Sequence, residues 1–329
     1  MYLREYSGWG YSIRLSPEED KVYFMIRGLK EPVDEGADIV ILSGEGRVDI
    51  SAILKLLSNG KLIVLKLTKR SSQVIYPRPM LHIHAVRAQH AHATSPEMRS
   101  KIALTLLRSA SLNKLFLLKT LGLRRDLYVK FKERTLRLLD EMRRASPEKY
   151  MGYEAQISKE YYDNIRMLLP EEYEFEARTR MPPRDPVSAA LSYFNVTLLY
   201  PLCEQALSVA GLDPRISFLH EIRGTRPSLA LDLAEQFRQP LVDLTVFAAF
   251  MNRLLNPKRD FVHRGEAVYL GSRGKKKLWR LLLSKLRLKV PWTNVTLRES
   301  ILLEAVKLRE YLLGHLSSYE GFHPPLRYL

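Results

Sequence analysis

The stretch MRSKIALTLLRSASLNKLFLLKTLG, residues 98–122, decides the architecture of most of this chain. Its apolar residues recur at helical spacing, and basic residues lie between them. Three helix start signals follow, each a capping position beside a proline. They are Ser146–Pro147, Asp185–Pro186 and Pro227–Ser228. Together these features predict that residues 81–329 are helical throughout.

The residues before this stretch have a different character. Short runs rich in Val, Ile, Tyr and Phe predict strands at KVYFMIRG, ADIVILSG and KLIVLKL. The segment DISAILKLLSNG predicts one short helix, with Ser51 as its N-cap and Gly60 as its stop signal. Two prolines in VIYPRPM, residues 74–80, predict a linker. We therefore predict an α+β fold, with a small β-rich N-terminal domain at residues 1–80 and a larger all-α-helical domain at residues 81–329.

The composition of the chain excludes several classes of protein. It has 329 residues, of which 46% are hydrophobic, so it can bury a sizeable core and is not disordered. The single cysteine, Cys203, excludes a disulfide framework and a cysteine-based zinc site, and it is typical of a cytoplasmic protein. The start MYLREYSGWG lacks the apolar core of a signal peptide, and no apolar run approaches the roughly 18 residues of a membrane span. We expect no membrane partner.

The net charge of +16 favours a polyanionic partner, which can be DNA, RNA or an anionic membrane surface, and the alternative is a solvated surface rich in Lys and Arg. The charge is unevenly placed, because residues 267–298 contain basic residues and no acidic ones. Five of these basic residues are candidates for contact with the phosphate backbone of such a partner. They are Arg273, Lys275, Lys276, Lys277 and Arg280.

The stretch SFLHEIRGTRPSLALDLAEQFRQPLVDL, residues 217–244, contains a candidate metal site. Asp232 and Glu235 are three residues apart, so they project from one face of a helix, and like charges there favour a cation between them. The loop after His220 contains a glycine and can fold the imidazole back over this helix. The alternatives are a buried structural histidine and an aspartate that complements the helix dipole. The local sequence gives no reason to choose Glu154 among the glutamates of its helix.

Four motifs in order resemble the family of CRISPR-associated spacer integrases. They are GYEAQISKEYY, RTRMPPRDPVSAALSYFNVTLLY, AGLDPRISFLH and RPSLALDLAEQFRQPLVD. The segment GRVDISAILKLLSNGKLIVLKL is similar to the family's N-terminal β-domain, and FVHRGEAVYLGSRGKKKLWRLLLSKLRLK is similar to its basic C-terminal segment. The resemblance therefore covers nearly the whole chain.

The resemblance implies a set of site residues. The family's metal ligands fall on Glu154, His220 and Glu235, which would also be the catalytic residues, and Asp232 matches a nearby second acid. Further residues would contact phosphates or support the ligands. They are Arg178 and Arg180, in the family's Arg–Pro–Pro–Asp–Pro segment with Asp185. Independently of the resemblance, Arg223 and Arg226 lie in the loop after His220, where they would bind phosphates or only keep the loop soluble. The chain departs from the family at Ser188, where Asn is common, and at Gln156 and Ile157, where an alanine pair is common.

The resemblance also implies a function. The protein would be a metal-dependent DNA endonuclease and integrase that inserts short foreign DNA spacers into a CRISPR array, with the 3′-hydroxyls of the spacer attacking the ends of a repeat. Its cofactor would be Mg²⁺ or Mn²⁺, and the histidine ligand favours Mn²⁺. Its partners would be the spacer precursor, the CRISPR repeat, a second copy of itself and a small companion adaptation protein, with dimer and partner contacts on the N-terminal domain.

Two alternatives remain open at this stage. One is a catalytically silent DNA-binding scaffold whose acidic residues only cap helices. The other is a transposon-borne integrase of the same fold. Trp279 and Trp292 bracket much of the basic segment, and we predict that they pack in the core or at an interface instead of stacking on a DNA base.

Overall fold

The computed structural model describes residues 3–37, 39–59, 61–66, 73–75 and 82–329. The chain forms two compact units. They are Met1–Pro79 with Val196–Pro201, and Met80–Asn195 with Leu202–Leu329. The predicted stop signal Gly60 and the prolines of the predicted linker, Pro77 and Pro79, lie outside the described residues.

The first unit contains one mixed sheet in the order β3-β2-β1-β4-β5-β6. Its strands are β1 (Leu3–Ser16), β2 (Lys21–Ile26), β3 (Leu29–Pro32), β4 (Ile39–Val48), β5 (Leu62–Lys66) and β6 (Gln73–Ile75). Strand β4 runs parallel to β1 and to β5, and the other neighbours are antiparallel. The helix α1 (Ile50–Ser58) follows β4. It begins at Ile50 with Asp49 in the N-cap position, so the prediction of Ser51 as N-cap is wrong.

The sequence pattern did not reveal β1, although this strand pairs with both β2 and β4. Glycines interrupt its apolar pattern, and the backbone of Gly10 has a φ of +72° near a register shift in the pairing with β4. Gly44 on β4 faces Gly8, and a Cβ atom at Gly44 would lie 2.1 Å from the carbonyl oxygen of Gly8. Only glycine therefore allows these two strands to pair here.

One face of this sheet is covered by α1. The residues Ile13, Val40 and Ile63 of the sheet are completely buried, and Ala52 and Leu56 of α1 are buried with them. Burial of a side chain such as Leu56 contributes about 1.5–3 kcal/mol. The predicted β-rich N-terminal part of the chain is thus confirmed.

The second part of the chain is mostly helical, as predicted. Its helices are α2 (Ile83–Thr94), α3 (Pro96–Thr120), α4 (Arg125–Arg144), α5 (Tyr150–Leu168), α6 (Pro186–Phe194), α7 (Tyr200–Val209), α8 (Ser228–Glu235), α9 (Leu244–Met251), α10 (Ser272–Arg287) and α11 (Leu297–Leu312). It also contains a hairpin of β7 (Phe261–Arg264) and β8 (Ala267–Leu270), so the prediction that residues 81–329 are helical throughout is wrong at these residues. No helix in the described ranges is both long and apolar enough to cross a membrane.

Helix α3 organises this helical part, because it packs against α2, α4, α5 and α8. Ser95 caps it and Pro96 follows at its first position. From Ser109 to Leu115 every residue is buried, which is typical of a helix surrounded by others. Four of these buried residues are polar. The hydroxyls of Ser109 and Ser111 donate to backbone oxygens of α3 itself, whereas Asn113 and Lys114 need partners on neighbouring elements.

Candidate active site

The loop before α8 is held in place by the carboxylate of Asp232, which is completely buried. Its oxygens accept hydrogen bonds from the backbone N–H groups of Phe218, Leu219 and His220, at 2.7, 2.9 and 3.0 Å. Oδ1 also accepts a bond of 2.7 Å from Nδ1 of the His220 ring. Because this nitrogen donates to the carboxylate, the lone pair of the neutral imidazole is on Nε2.

Residues on α2 and α3 fix the same loop from the other side. The side chain of Gln89 donates to the carbonyl oxygens of Asp213 and Ile216, at 2.8 and 2.7 Å. Nε of Arg99 donates to the carbonyl oxygen of Phe218 at 2.9 Å. The position of His220 is therefore set by three separate helices, α2, α3 and α8.

Glu235 lies at the end of α8, one turn after Asp232. Its Oε1 is 3.9 Å from Nε2 of His220. Nη1 of Arg238 is 2.7 Å from each of the two carboxylate oxygens. The side chains of His220 and Glu235 are 23% and 14% exposed, so a ligand from solution can reach them.

Glu154 is on α5 and is paired with the buried Lys114 of α3, whose Nζ lies 3.0 Å from Oε1. The hydroxyl of Ser158, one turn along α5, donates to the same oxygen. Burial raises the pKa of Glu154, but the Lys114 ammonium, the bond from Ser158 and the charge of Arg238 outweigh it and lower the pKa to about 2. The carboxylate is therefore ionised at every physiological pH.

The structure brings His220, Asp232 and Glu235 together, while Glu154 is held by a different partner. Within the described ranges, no group of three or more His, Cys, Asp or Glu residues lies close enough to hold a metal ion. His220 and Glu235 could both bind one ion. Their Nε2 and Oε1 atoms are 3.9 Å apart, and two ligand bonds of about 2.0–2.2 Å can span that distance. The inclusion of Glu154 in the ligand set stays a prediction.

The two arginines of the Arg–Pro–Pro–Asp–Pro segment have different surroundings. Arg178 is partly buried, and it donates to the backbone oxygen of Thr179 and, at 2.9 Å, to the hydroxyl of Ser192. Burial lowers the pKa of Arg178. Arg180 is exposed. Arg180 is therefore the one of the two that is presented to solvent.

Ser188, where the family commonly has Asn, takes part in a cap. Asp185 accepts a bond of 2.7 Å from the backbone N–H of Ser188 at the start of α6. The hydroxyl of Ser188 accepts one of 3.1 Å from the backbone N–H of Thr179. Serine therefore provides a hydrogen bond across the turn between residues 179 and 185.

The loop after His220 presents two exposed arginines. Arg223 donates from Nε and Nη2 to one carboxylate oxygen of Glu221, at 2.8 and 2.5 Å. This pair is largely in solvent, so it adds little stability. Both guanidinium groups can turn towards a phosphate at small cost.

The five basic residues of α10 that were predicted to contact DNA do not form one uniform surface. Lys277 and Arg273 lie 2.6 and 3.4 Å from the carboxylate of Asp260, which is completely buried. These two residues therefore compensate a buried charge, and removing either one affects stability as well as charge.

The other three residues on α10 face outward to different degrees. Nζ of Lys275 lies 4.8 Å from the centre of the Tyr193 ring, a cation–π contact. Lys276 and Arg280 are exposed, one turn apart, and neither forms an ion pair with any described residue. Of the five, these two have their charge most available to a phosphate backbone.

The two tryptophans of this segment pack against other aromatic rings, as predicted, with Trp279 buried and Trp292 half-buried. Trp279 is 6% exposed and meets the ring of Phe194 edge to face, with centroids 4.9 Å apart. Trp292 lies 5.0 Å from Phe116 and 5.9 Å from Tyr328. Neither ring is presented as an open stacking surface.

Two residues of the site, Lys114 and Arg238, were not identified from the sequence. Arg238 could have been, because it follows Glu235 by three residues and i, i+3 pairs of opposite charge meet on a helix. Lys114 is 40 residues from Glu154, and only the packing of α3 on α5 brings them together.

A family model described as CRISPR associated protein Cas1 matches residues 14–283, which is most of the chain. This chain belongs to the Cas1 family. It is 40% identical over 189 residues to CRISPR-associated endonuclease Cas1 3 of Thermus thermophilus, a match that covers 56% of each protein. It is 30% identical over 266 residues to CRISPR-associated endonuclease Cas1 of Methanothermobacter thermautotrophicus, which covers 80% of this chain and 77% of that protein. The chain thus spans a little over half the length of the two Thermus relatives it matches.

Solved structures show that the Cas1 fold extends over the whole chain. A casposase bound to its integration product superposes with a TM-score of 0.85 at 22% identity, over 97% of this chain and 93% of that one. A Cas1 protein from Thermotoga maritima gives 0.81 at 23% identity, over 98% and 99%. A Cas6-RT-Cas1–Cas2 complex gives 0.79 at 18% identity, over 99% of this chain and 36% of that one. At these identities the likeness establishes the fold.

Proposed function

We propose that this Cas1-family protein is a divalent-metal-dependent DNA endonuclease and integrase of CRISPR adaptation. The observation that carries the proposal is the arrangement of His220 between two acids. Asp232 binds Nδ1, and Nε2 faces Glu235 at 3.9 Å. A histidine whose second nitrogen is fixed by a carboxylate is the usual arrangement of a metal ligand.

The residues His220 and Glu235 would hold Mg²⁺ or Mn²⁺, and Glu154 would join them as the third ligand. Bound there, the ion would polarise a phosphodiester and lower the pKa of an attacking 3′-hydroxyl. The chain's own contribution is positioning. Asp232 fixes the ring of His220, and the hydrogen bonds from Gln89 and Arg99 keep its loop in place. The reaction needs no covalent intermediate with the protein. The 3′-oxygen of one DNA end would form a bond to the phosphorus of the other DNA while the existing bond from that phosphorus to a 3′-oxygen breaks, and the leaving oxygen takes up a proton as a free 3′-hydroxyl.

The proposal assigns phosphate contacts to three exposed arginines. Arg180, Arg223 and Arg226 are exposed, and guanidinium groups bind phosphates through two parallel N–H groups. Along α10, Lys276 and Arg280 would hold the DNA backbone. The net charge of +16 supports a polyanionic substrate.

The proposed partners follow from the family. The match to a Cas1 within a Cas6-RT-Cas1–Cas2 complex supports a small companion protein, and we propose that the chain also forms a homodimer through its N-terminal domain. The DNA partners would be a spacer precursor and a CRISPR repeat. The single cysteine, which is buried, is consistent with a cytoplasmic location.

The test is a joining assay in which a short duplex with free 3′ ends is incubated with repeat DNA and Mn²⁺. We expect Glu154→Ala, His220→Ala and Glu235→Ala each to abolish joining, and EDTA to abolish it in the wild type. Glu160→Ala is a matched control, because Glu160 lies on the same helix as Glu154 but pairs with Arg134 at 3.1 Å. Joining that persists in the His220 variant would remove this residue from the ligand set.

DNA binding is measured separately in the same variants. If all three variants bind DNA like the wild type and the wild type joins nothing, a catalytically silent scaffold is the correct reading. The casposase likeness makes a second comparison useful, with repeat DNA and unrelated target DNA offered together. Preference for the repeat supports a function in adaptation, and insertion without such preference supports a transposon-type integrase.

A further inference from the structure

We propose that Lys114 and Arg238 are built-in counter-ions of Glu154 and Glu235, which compete with the divalent ion and make metal binding depend on DNA. The inference rests on the proposed function, because it concerns the same candidate ligands. It goes beyond that function by assigning a role to two cations and by coupling two binding events.

The first cation is a lysine in the protein interior. Lys114 is 3% exposed, and its Nζ lies 3.0 Å from Oε1 of Glu154. A buried ammonium needs a nearby negative charge, and Glu154 is the carboxylate that it contacts. The charge of Lys114 also acts on Asp243, which is buried beside the hydroxyl of Tyr161. Lys114 therefore has a second acid close by if Glu154 takes another partner.

The second cation acts on both candidate ligands. Nη1 of Arg238 is 2.7 Å from each oxygen of Glu235, and its charge also lowers the pKa of Glu154. The side chains of Arg238 and Glu235 are 16% and 14% exposed, so water screens the pair only in part. Each of the two candidate acids is thus in contact with a cation.

A divalent ion cannot bind these two acids without displacing a positive charge. An ion bound to Oε1 of Glu154 would lie about 2.0–2.2 Å from an oxygen that is already 3.0 Å from Lys114 Nζ. Like charges at such short range in a partly buried site repel strongly. Metal affinity is therefore lower than the same acids would give without Lys114 and Arg238.

DNA supplies the charge that relieves this competition. A phosphate is an alternative partner for Arg238, whose side chain is 16% exposed, because an arginine can bind it through two N–H groups; Lys114 is too deeply buried to reach one. When a phosphate attracts Arg238, Glu235 becomes available to the ion, and the charge of Arg238 acts less on Glu154. By linkage, the ion then strengthens DNA binding by the same factor as DNA strengthens ion binding. The protein would assemble its metal site mainly on DNA.

The test is direct Mn²⁺ binding to the full-length chain, measured by calorimetry and by electron paramagnetic resonance of free Mn²⁺. Each titration is run without DNA and with a duplex whose 3′ ends lack hydroxyl groups, so that no joining occurs. We compare the wild type with Lys114→Met, which keeps the apolar stem, and with Arg238→Gln. The control is Arg134→Gln, which removes a cation paired with Glu160 on the same helix as Glu154.

We expect Lys114→Met to bind Mn²⁺ at least tenfold more tightly than the wild type in the absence of DNA. Arg238→Gln should also bind Mn²⁺ more tightly without DNA and should gain less affinity than the wild type when DNA is added. Arg134→Gln should match the wild type in both titrations. Thermal melting shows which variants fold. If Lys114→Met does not fold, the Mn²⁺ affinity of Arg238→Gln tests the counter-ion role instead.

The outcomes separate this inference from the proposed function. Folded variants that bind Mn²⁺ no more tightly than the wild type, while the wild type joins DNA, overturn the counter-ion role alone. A wild type that neither binds Mn²⁺ with DNA present nor joins DNA overturns the proposed function and this inference with it.

Discussion

Replacing Asp232 by asparagine tests the arrangement on which the candidate site depends. The carboxylate accepts four hydrogen bonds, three from backbone N–H groups and one from Nδ1 of His220. Asparagine keeps one oxygen, which can accept two of them, and its amide nitrogen then faces the other two donors. Each lost bond to a charged acceptor costs about 1.5–3 kcal/mol. The neutral amide costs less free energy to bury than the carboxylate, and this offsets part of the loss from the two missing hydrogen bonds. We therefore expect Asp232→Asn to lower the free energy of unfolding by about 2–4 kcal/mol.

The same substitution changes the tautomer of His220. An amide N–H in the place of Oδ1 donates to Nδ1, and the proton of the neutral ring then moves to Nε2. The nitrogen that faces Glu235 would no longer have a lone pair, so we expect joining to fall by about 10–100-fold even where the protein is folded.

Urea unfolding and the joining assay together check this prediction, with joining measured well below the melting temperature. Asp213→Asn is the matched control, because Asp213 lies in the same loop and binds Arg215 at 2.6 Å without touching His220. The Asp213→Asn variant should be less stable than the wild type but should join DNA at the wild-type rate. If Asp232→Asn loses less than about 1 kcal/mol and joins DNA at the wild-type rate, the reasoning about His220 is wrong.

Three further predictions concern other parts of the structure. Burial raises the pKa of Glu204 to about 7. The folded state therefore keeps a proton that the unfolded state releases near pH 4.5. The free energy of unfolding falls as pH rises between these two values. Glu204→Gln should therefore stabilise the protein at pH 8 by up to about 3 kcal/mol and leave its stability unchanged at pH 4. Equal urea midpoints for the variant and the wild type at pH 8 would contradict this prediction. Gly321→Ala should lower the melting temperature by several degrees, because the backbone there has a φ of +75° and a Cβ atom would lie 2.2 Å from Oγ of Ser109; an unchanged melting curve would show that the C-terminal segment is not docked. The double variant Lys276→Ala and Arg280→Ala should bind DNA more weakly with a shallower salt dependence and an unchanged melting temperature, and an unchanged salt slope would place the DNA elsewhere.

The fold class could be predicted from the chain because its signals are local. Helical spacing over residues 98–122 and the cap of Asp185 depend on neighbouring residues, and both appear as predicted, in α3 and at the start of α6. The strand β1 was missed for the same reason. Its glycines weaken the local pattern, and the requirement for them comes from close pairing with β4, 36 residues away at Gly8 and Gly44.

The candidate site was predictable only in part. The pairing of His220 with the acids of α8 could be expected from their short separation along the chain, although the sequence did not show which acid fixes the ring and which faces Nε2. The partner of Glu154 could not be predicted at all. An isolated lysine inside an apolar helix carries no signal of its neighbour.

What can be read from the linear chain is therefore the order of helices and strands, the basic character of the surface and membership of the Cas1 family, because each depends on residue types at short spacings. The charge balance around Glu154 and Glu235 arises from packing, since α3, α5 and the end of α8 meet only in the folded protein. The ion pairs Lys114–Glu154 and Arg238–Glu235 are largely buried. A charge removed from water is costly unless an opposite charge lies beside it, and the fold decides which residue that is.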